Sequence, residues 1–332
     1  METKSVSAGK QFIGRSSCLL PYLQDESITD ILINGTTSLF IETDGKLEQK
    51  PSPFSSDSLL FELMERLLLT AGKRIDATRP YTDGRLADGS RFHIILPPIA
   101  IGGPFISIRK WRSFEHCELA SFGPTEIVGW LSQQARNKKN ILISGGTGSG
   151  KTTLLSRLLD CVPEFERIAL LEETTEIRAR HRHLIQLEAR PPSPEGIGEV
   201  TLRMLIKNVL RMRPDRIVVG ECRGAEAFDM LQAMNCGHGG SLSTIHANSS
   251  VDALRRLEAL AMLAAASVNA RTMREWISTA IGVVVQLTKQ DGNRRIAEVI
   301  TVGGMEGEMI RILPIYPTGS LHTRITPVML GV

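Results

Sequence analysis

Aromatic residues make up only 5% of the 332 residues, and the formal net charge is just +3. Few rings and little excess charge argue against base-stacking platforms and a broad phosphate-binding surface, so no nucleic-acid partner is expected. Long apolar runs are also missing. The stretch "LAMLAAASV" is about half of the ~18 residues a membrane span needs, so membrane contact is expected only through partners. Cysteine pairs are absent too. The five cysteines (Cys18, Cys117, Cys161, Cys222, Cys236) form no CxxC, and their odd number and irregular spacing suit reduced thiols of a cytoplasmic chain. The opening "METKSVSAGKQFIGR" carries charge without an apolar core, so it reads as part of a loose tail over 1–26 rather than a secretory signal.

What is present is an ordinary globular composition, 42% hydrophobic and 23% charged, long enough for about two domains. Residues 27–112 read as an α+β domain with a mostly antiparallel sheet. Turns are expected at Asn34-Gly35, Asp44-Gly45 and Asp88-Gly89. Leu59, Leu60, Leu63, Met64, Leu67 and Leu68 recur at helical spacing, and Gly72 can stop that helix. Residues 113–122 read as a hinge. From 123 to 332 the pattern becomes strand–helix alternation, with buried runs "NILISG", "RIALLEE", "RIVVG" and "SLSTIH". That alternation predicts an α/β domain whose mostly parallel sheet is covered on both faces.

The run "GGTGSGKT", Gly145 to Thr152, fits G-x4-G-K-[ST] between a predicted strand and a predicted helix. Its glycines let backbone N–H groups face phosphates, and the helix presents its positive end to the same anion. Gly146, Thr147, Gly148, Ser149, Gly150, Lys151, Thr152 and Thr153 are therefore the expected nucleotide-binding residues. Lys151 is suited to the β- and γ-phosphates, and Thr152 to Mg²⁺. Hydrolysis needs carboxylates as well. Two apolar strands end in them, "RIALLEE" at Glu172-Glu173 and "RIVVGECRG" at Glu221. Strand ends of a parallel sheet face the ligand crevice, although Glu172 and Glu173 read alone fit surface-loop acids equally well. His238 and His246 flank the run "SLSTIH". Two histidines eight apart without thiolates make a weak zinc signal. Hydrogen bonding to phosphate or to a neighbouring acid suits them better, with a structural role as the alternative.

Four segments in order, "GGTGSGKT", "LLEETTE", "RMRPDRIVVGECRG" and "GHGGSLSTIHANS", resemble the phosphate loop, acidic box, Gly-Glu form of Walker B and histidine box of the secretion-superfamily traffic ATPases. "ITDILING", "DGRLADGSRFHIILPPIAIGGPFISIRKW" and "VGGMEGE" look like the CpaF-like Tad/Flp pilus branch. The resemblance runs from about Ser27 to the C-terminus. It implies a RecA-like P-loop domain that binds ATP and Mg²⁺. It also implies a homohexameric motor for pilus assembly or type II/IV secretion, peripheral to the cytoplasmic face of the inner membrane, with an inner-membrane platform protein as partner. By the same resemblance Glu172 is the base that orients water, and Glu221 is the metal-side carboxylate. Glu173 stands where the family commonly has Asp. Arg91 and Arg109 are the first choices, and Arg85 the next, for arginines brought over the nucleotide from the N-terminal domain. Arg213 and Arg223 flank the Walker B strand without an assigned role. The rival classes are a RecA-like nucleic-acid translocase, which the composition opposes, and a nucleotide-gated assembly protein with negligible turnover, which the full set Lys151, Thr152, Glu172 and Glu221 opposes.

Overall fold

The structure, a computed structural model, describes residues 18–43, 45–111, 117–193, 196–265, 267–290, 292–317 and 328–329. Asp44, Arg112, residues 113–116 of the expected hinge, and most of the expected tail therefore lie outside the described residues. Contacts divide the chain into two compact units, Met1–Phe114 and Glu115–Val332.

The first unit is built on a six-stranded antiparallel sheet in the order β3-β2-β1-β6-β5-β4. Its strands are β1 (Ile28–Asn34), β2 (Ser38–Thr43), β3 (Lys46–Lys50), β4 (Tyr81–Arg85), β5 (Arg91–Ile95) and β6 (Phe105–Arg109). Helix α2 (Asp57–Ala71) contributes Leu60, Leu63, Met64, Leu67 and Leu68 to the core and ends at Gly72 in the left-handed region. Leu59, expected on that apolar stripe, sits at its edge and is 42% exposed. The expected loose tail needs correction at its end. Leu20–Gln24 form a short helix, α1, and Leu19 and Leu23 are buried in the same core as α2. Lys110 Nζ fastens this segment by donating to the carbonyls of Tyr22 (3.1 Å) and Asp25 (2.6 Å). One turn is too short to show a helical period in the sequence.

The second unit holds a nine-stranded sheet in the order β15-β14-β13-β12-β7-β11-β10-β8-β9. The strands from β12 to β9 in that order are parallel: β12 (Val283–Gln290), β7 (Ile141–Gly145), β11 (Leu242–Ile245), β10 (Arg216–Cys222), β8 (Ile168–Glu172) and β9 (Leu184–Glu188). An antiparallel extension follows, β13 (Asn293–Glu306), β14 (Met309–Tyr316) and β15 (Val328–Met329). Alternating residues of each strand feed two cores. Ile141, Ile143, Ile168, Leu170 and Val218 pack with α3 (Thr125–Arg136) and α4 (Lys151–Leu159). Leu142, Ala169, Leu171, Ile217 and Val219 pack with α5 (Leu202–Val209), α6 (Glu226–Asn235), α7 (Ser250–Met262) and α8 (Ala270–Ala280). The sheet is thus covered on both faces, as strand–helix alternation requires. Because these strands run parallel, all of them end at one rim, and that rim carries the phosphate loop.

Candidate functional site

The phosphate loop leaves β7 at Gly145 and enters α4 at Lys151, with Gly145, Gly148 and Gly150 at positive φ. Lys151 is 7% exposed. Its Nζ donates to the carbonyls of Gly145 (3.0 Å) and Gly146 (2.8 Å) and lies 3.5 Å from Nδ1 of His246. Ser149 is buried, and its hydroxyl bonds to the Gly146 carbonyl. Thr152 is half-buried and Thr153 buried, while Gly146 and Thr147 are exposed. Arg294 of β13, which the sequence reading passed over, packs its methylenes against Gly150.

Glu221 reaches this loop because β10 is bulged. Opposite β11, Val219 pairs with Ser243 but Cys222 pairs with Ile245, so Gly220 and Glu221 together face Thr244. Strict alternation would put Glu221 on the face of Ile217 and Val219, away from α4. The extra residue reverses the phase. Cys222 takes that buried face instead, and Glu221 turns to the face of the phosphate-loop helix. The hydroxyl of Thr244 donates to the Gly220 carbonyl at 2.7 Å and closes the bulge. The shift was readable in the sequence as the spacing of Ile217, Val219 and Cys222, where a regular strand would continue at 221.

Glu221 is held from two sides. Nε2 of His246 lies 2.7 Å from Oε1, and Nη2 of Arg223 lies 2.8 Å from Oε2. Arg223 Nη1 also donates to Oε2 of Glu173 at 3.2 Å. A row of neighbouring groups therefore runs Lys151–His246–Glu221–Arg223–Glu173 across the ends of β7, β11, β10 and β8. Burial pushes the His246 pKa below the ordinary histidine value, aided by the charge of Lys151 and opposed by Glu221.

Glu172 stands apart from that row. Its side chain packs over Gly220 of the neighbouring strand, where an added Cβ would lie 2.9 Å from Glu172 Cγ. Gly220 is small because Glu172 occupies its space. The Glu172 carboxylate accepts from the backbone N–H of Glu176 (2.8 Å) and Ile177 (2.9 Å) and from Nε2 of Gln186 (2.9 Å). Burial raises its pKa against these bonds, which lower it. Glu188 accepts from the N–H and hydroxyl of Thr175. The acidic segment after β8 is thus pinned along its length.

The two histidines stand at opposite ends of the strand they flank. His246 follows β11 at the phosphate-loop rim, whereas His238 precedes it at the opposite rim, near the Ala233 carbonyl (3.3 Å). An extended strand lies between them, so they cannot share a metal ion. Arg213 also lies at that opposite rim, in the left-handed region just before Pro214. So does Arg216, fully buried, whose Nε donates to Glu166 Oε2 at 2.8 Å while its remaining donors meet the carbonyls of Ala135, Gly240 and Arg136. Gly240 takes φ +83, and a Cβ there would lie 2.6 Å from Arg216 Nη1. Part of the histidine box is therefore built for this buried arginine.

The type II/IV secretion system protein family matches residues 15–303. A putative conjugal transfer protein of Mycobacterium tuberculosis is 36% identical over 302 residues, 88% of this chain and 85% of its own length. The chain belongs to the type II/IV secretion system protein family. With the phosphate loop intact, it is an ATPase. Two solved structures share its RecA-like fold at 20% identity. The Legionella pneumophila ATPase DotB (TM-score 0.59) is matched over 85% of this chain and 79% of that one. The pilus retraction motor PilT with bound ADP (TM-score 0.57) is matched over 84% and 80%.

In this family member the rim also fits a magnesium ion. Among the described residues no cluster of three or more His, Cys, Asp or Glu could hold a metal. Mg²⁺ takes few protein groups and completes its shell with phosphate and water. Glu221 Oε1 is buried and has no aligned hydrogen-bond donor among the described residues, despite the nearby His246. Such an orphaned oxygen suits a hard cation or its water, and Thr152 is the loop hydroxyl available to the same ion.

In the first unit, Arg85 pairs with Arg91 across β4–β5, and Arg91 with Arg109 across β5–β6. The three arginines thus stand abreast on one face. The row continues through Asp30 and Glu42 on β1 and β2. Burial raises the pKa of Asp30, while Arg109 opposes the rise and Glu42 adds to it.

Proposed function

We propose that this ATPase is a homohexameric motor that powers pilus assembly or protein secretion, peripheral to the cytoplasmic face of the inner membrane and acting on an inner-membrane platform protein. The observation that carries the motor reading is the row of neighbouring charged and polar groups from Lys151 past His246 and Glu221 to Arg223 and Glu173. It brings the phosphate loop beside three other strand ends, so a change at the phosphates has a route to other elements. A ligand moves a conformational equilibrium only through such differential contact. Among the described residues no helix is long and apolar enough to cross a membrane, which suits a peripheral site of action. The conjugal-transfer name of the Mycobacterium relative and the retraction-motor title of the PilT structure support transport or pilus work. The finer assignment, to a Tad/Flp pilus, rests on the first-half motifs.

The two carboxylates have different environments and are proposed for different roles. Glu221, between an imidazole and a guanidinium, serves the metal side. Glu172, desolvated and with a raised pKa, is the base. Two of its three donors meet Oε1 and one meets Oε2, which leaves an acceptor site on Oε2 for a water. Mg²⁺ supplies charge neutralisation at the phosphates when bound. The row Arg85, Arg91 and Arg109 is proposed as the anion-facing surface of the first unit. Phosphate release by Glu172→Gln, measured beside native mass with and without a non-hydrolysable ATP analogue, tests the reading. A strict monomer in both conditions contradicts the ring, and wild-type turnover by Glu172→Gln contradicts the base.

A further inference from the structure

We propose that Arg223 is a positioning residue of the nucleotide site: its guanidinium fork ties Glu221 to Glu173 and sets the direction in which Glu221 presents its other oxygen. The proposal rests on Glu221 serving the metal side. Both ends of Arg223 are fixed. At its root, the N–H groups of Arg223 and Gly224 donate to Oε1 of Glu226 at 2.6 and 2.7 Å, and Glu226 is buried at the start of α6. At its tip, Nη2 lies 2.8 Å from Glu221 Oε2, and Nη1 donates to Glu173 Oε2 at 3.2 Å. A planar fork that meets two carboxylates on two elements constrains both. With Oε2 taken, the buried Oε1 is the oxygen left for the phosphate-loop face, where His246 lies 2.7 Å away.

Glu173 is itself a fixed anchor. It opens the segment whose backbone is bonded to Glu172 at Glu176 and Ile177, and to Glu188 at Thr175. Arg223 therefore transmits the position of the acidic segment to Glu221. More than half of its side chain is exposed, and exposed ion pairs add little to folding stability. A positioning role and a structural role then separate cleanly by experiment.

The test titrates Mg²⁺ against binding of a fluorescent ADP analogue, read by anisotropy, for the wild type, Arg223→Ala, Arg223→Lys, Glu173→Gln and Glu221→Gln, each with its melting curve. Removing a partner that orients a metal ligand typically weakens the metal about tenfold or more. Arg223→Ala is expected to raise the Mg²⁺ half-saturation about tenfold while Mg²⁺-free nucleotide binding and melting stay near wild type. Arg223→Lys, with one ammonium for two carboxylates, is expected between the two, and Glu173→Gln to shift in the same direction by less. An Arg223→Ala titration that overlays the wild type while Glu221→Gln shifts overturns the role of Arg223 alone. If Glu221→Gln does not shift either, the metal-side reading falls and takes this proposal with it. Should Arg223→Ala fail to fold, wild-type titrations of Arg223→Lys and Glu173→Gln overturn the proposal.

Discussion

At one rim of the nine-stranded sheet, Arg223 meets Glu221 and Glu173 with 55% of its side chain exposed; at the other, Arg216 meets Glu166 with none of it exposed. Both arginines belong to the same short run, "RIVVGECRG", and stand at the two ends of β10. β11 repeats the contrast, with His238 at its start and His246 at its end. At the closed rim every donor direction of Arg216 is met by a carboxylate or a carbonyl, so the group has no capacity left for a ligand. At the open rim Glu221 keeps a buried oxygen without an aligned donor, and Lys151 makes its bonds to loop carbonyls and an imidazole that phosphate can replace. Satisfaction of hydrogen-bonding capacity, more than residue type, separates the stabilising rim from the chemical one.

The comparison breaks most visibly at the open rim. Lys151→Ala is expected to cut kcat for phosphate release by ~10²–10³, the scale of removing one preorganised donor to transition-state charge, with melting close to wild type. At the closed rim, Arg216→Ala leaves the Glu166 carboxylate buried beside the partly exposed Lys138, 3.5 Å away. It is expected to cost about 3–5 kcal/mol in denaturant unfolding, where Arg223→Ala costs less than about 1 kcal/mol. Equal losses from the two arginines would erase the distinction.

Gly220→Ala joins the two properties, because the new methyl displaces Glu172. A stability loss of about 1–3 kcal/mol is expected, with turnover falling at temperatures where the protein stays folded. The smallest effect concerns Cys222, whose pKa burial pushes up to about 12. A raised thiol pKa keeps the unreactive protonated form at pH 8. A thiol-disulfide reagent is expected to label the exposed Cys18 and Cys236 and to spare Cys222 in the native protein.

Much of this was legible in the residues themselves. The phosphate loop was, because its spacing, the strand before it and the helix after it agree. The hairpin at Asp88-Gly89 and the helix ending at Gly72 were legible for similar reasons, since each has a backbone need that few residues meet. The acids at the ends of β8 and β10 were legible as strand ends but not as distinct environments. Glu172 turns out to organise the loop after it, and that depends on Gln186 from β9, a strand the reading did not mark. His238 and His246 were legible as the two flanks of one strand, but which end of that strand meets the phosphate loop was not. Arg216 gave no signal, since an arginine at the head of an apolar run looks like a solvated flank. The alignment of Arg85, Arg91 and Arg109 required strand register, which turn residues alone did not supply.

The contrast between the rims is tested most directly by phosphate release from His246→Ala and His238→Ala, measured side by side at a temperature where both are folded. His246 joins Lys151 to Glu221, and His238 sits at the far end of the same strand. The predicted result is a loss of at least about tenfold for His246→Ala and near-wild-type turnover for His238→Ala. Equal loss in the two variants, or loss in His238→Ala alone, would contradict the assignment of chemistry to one rim.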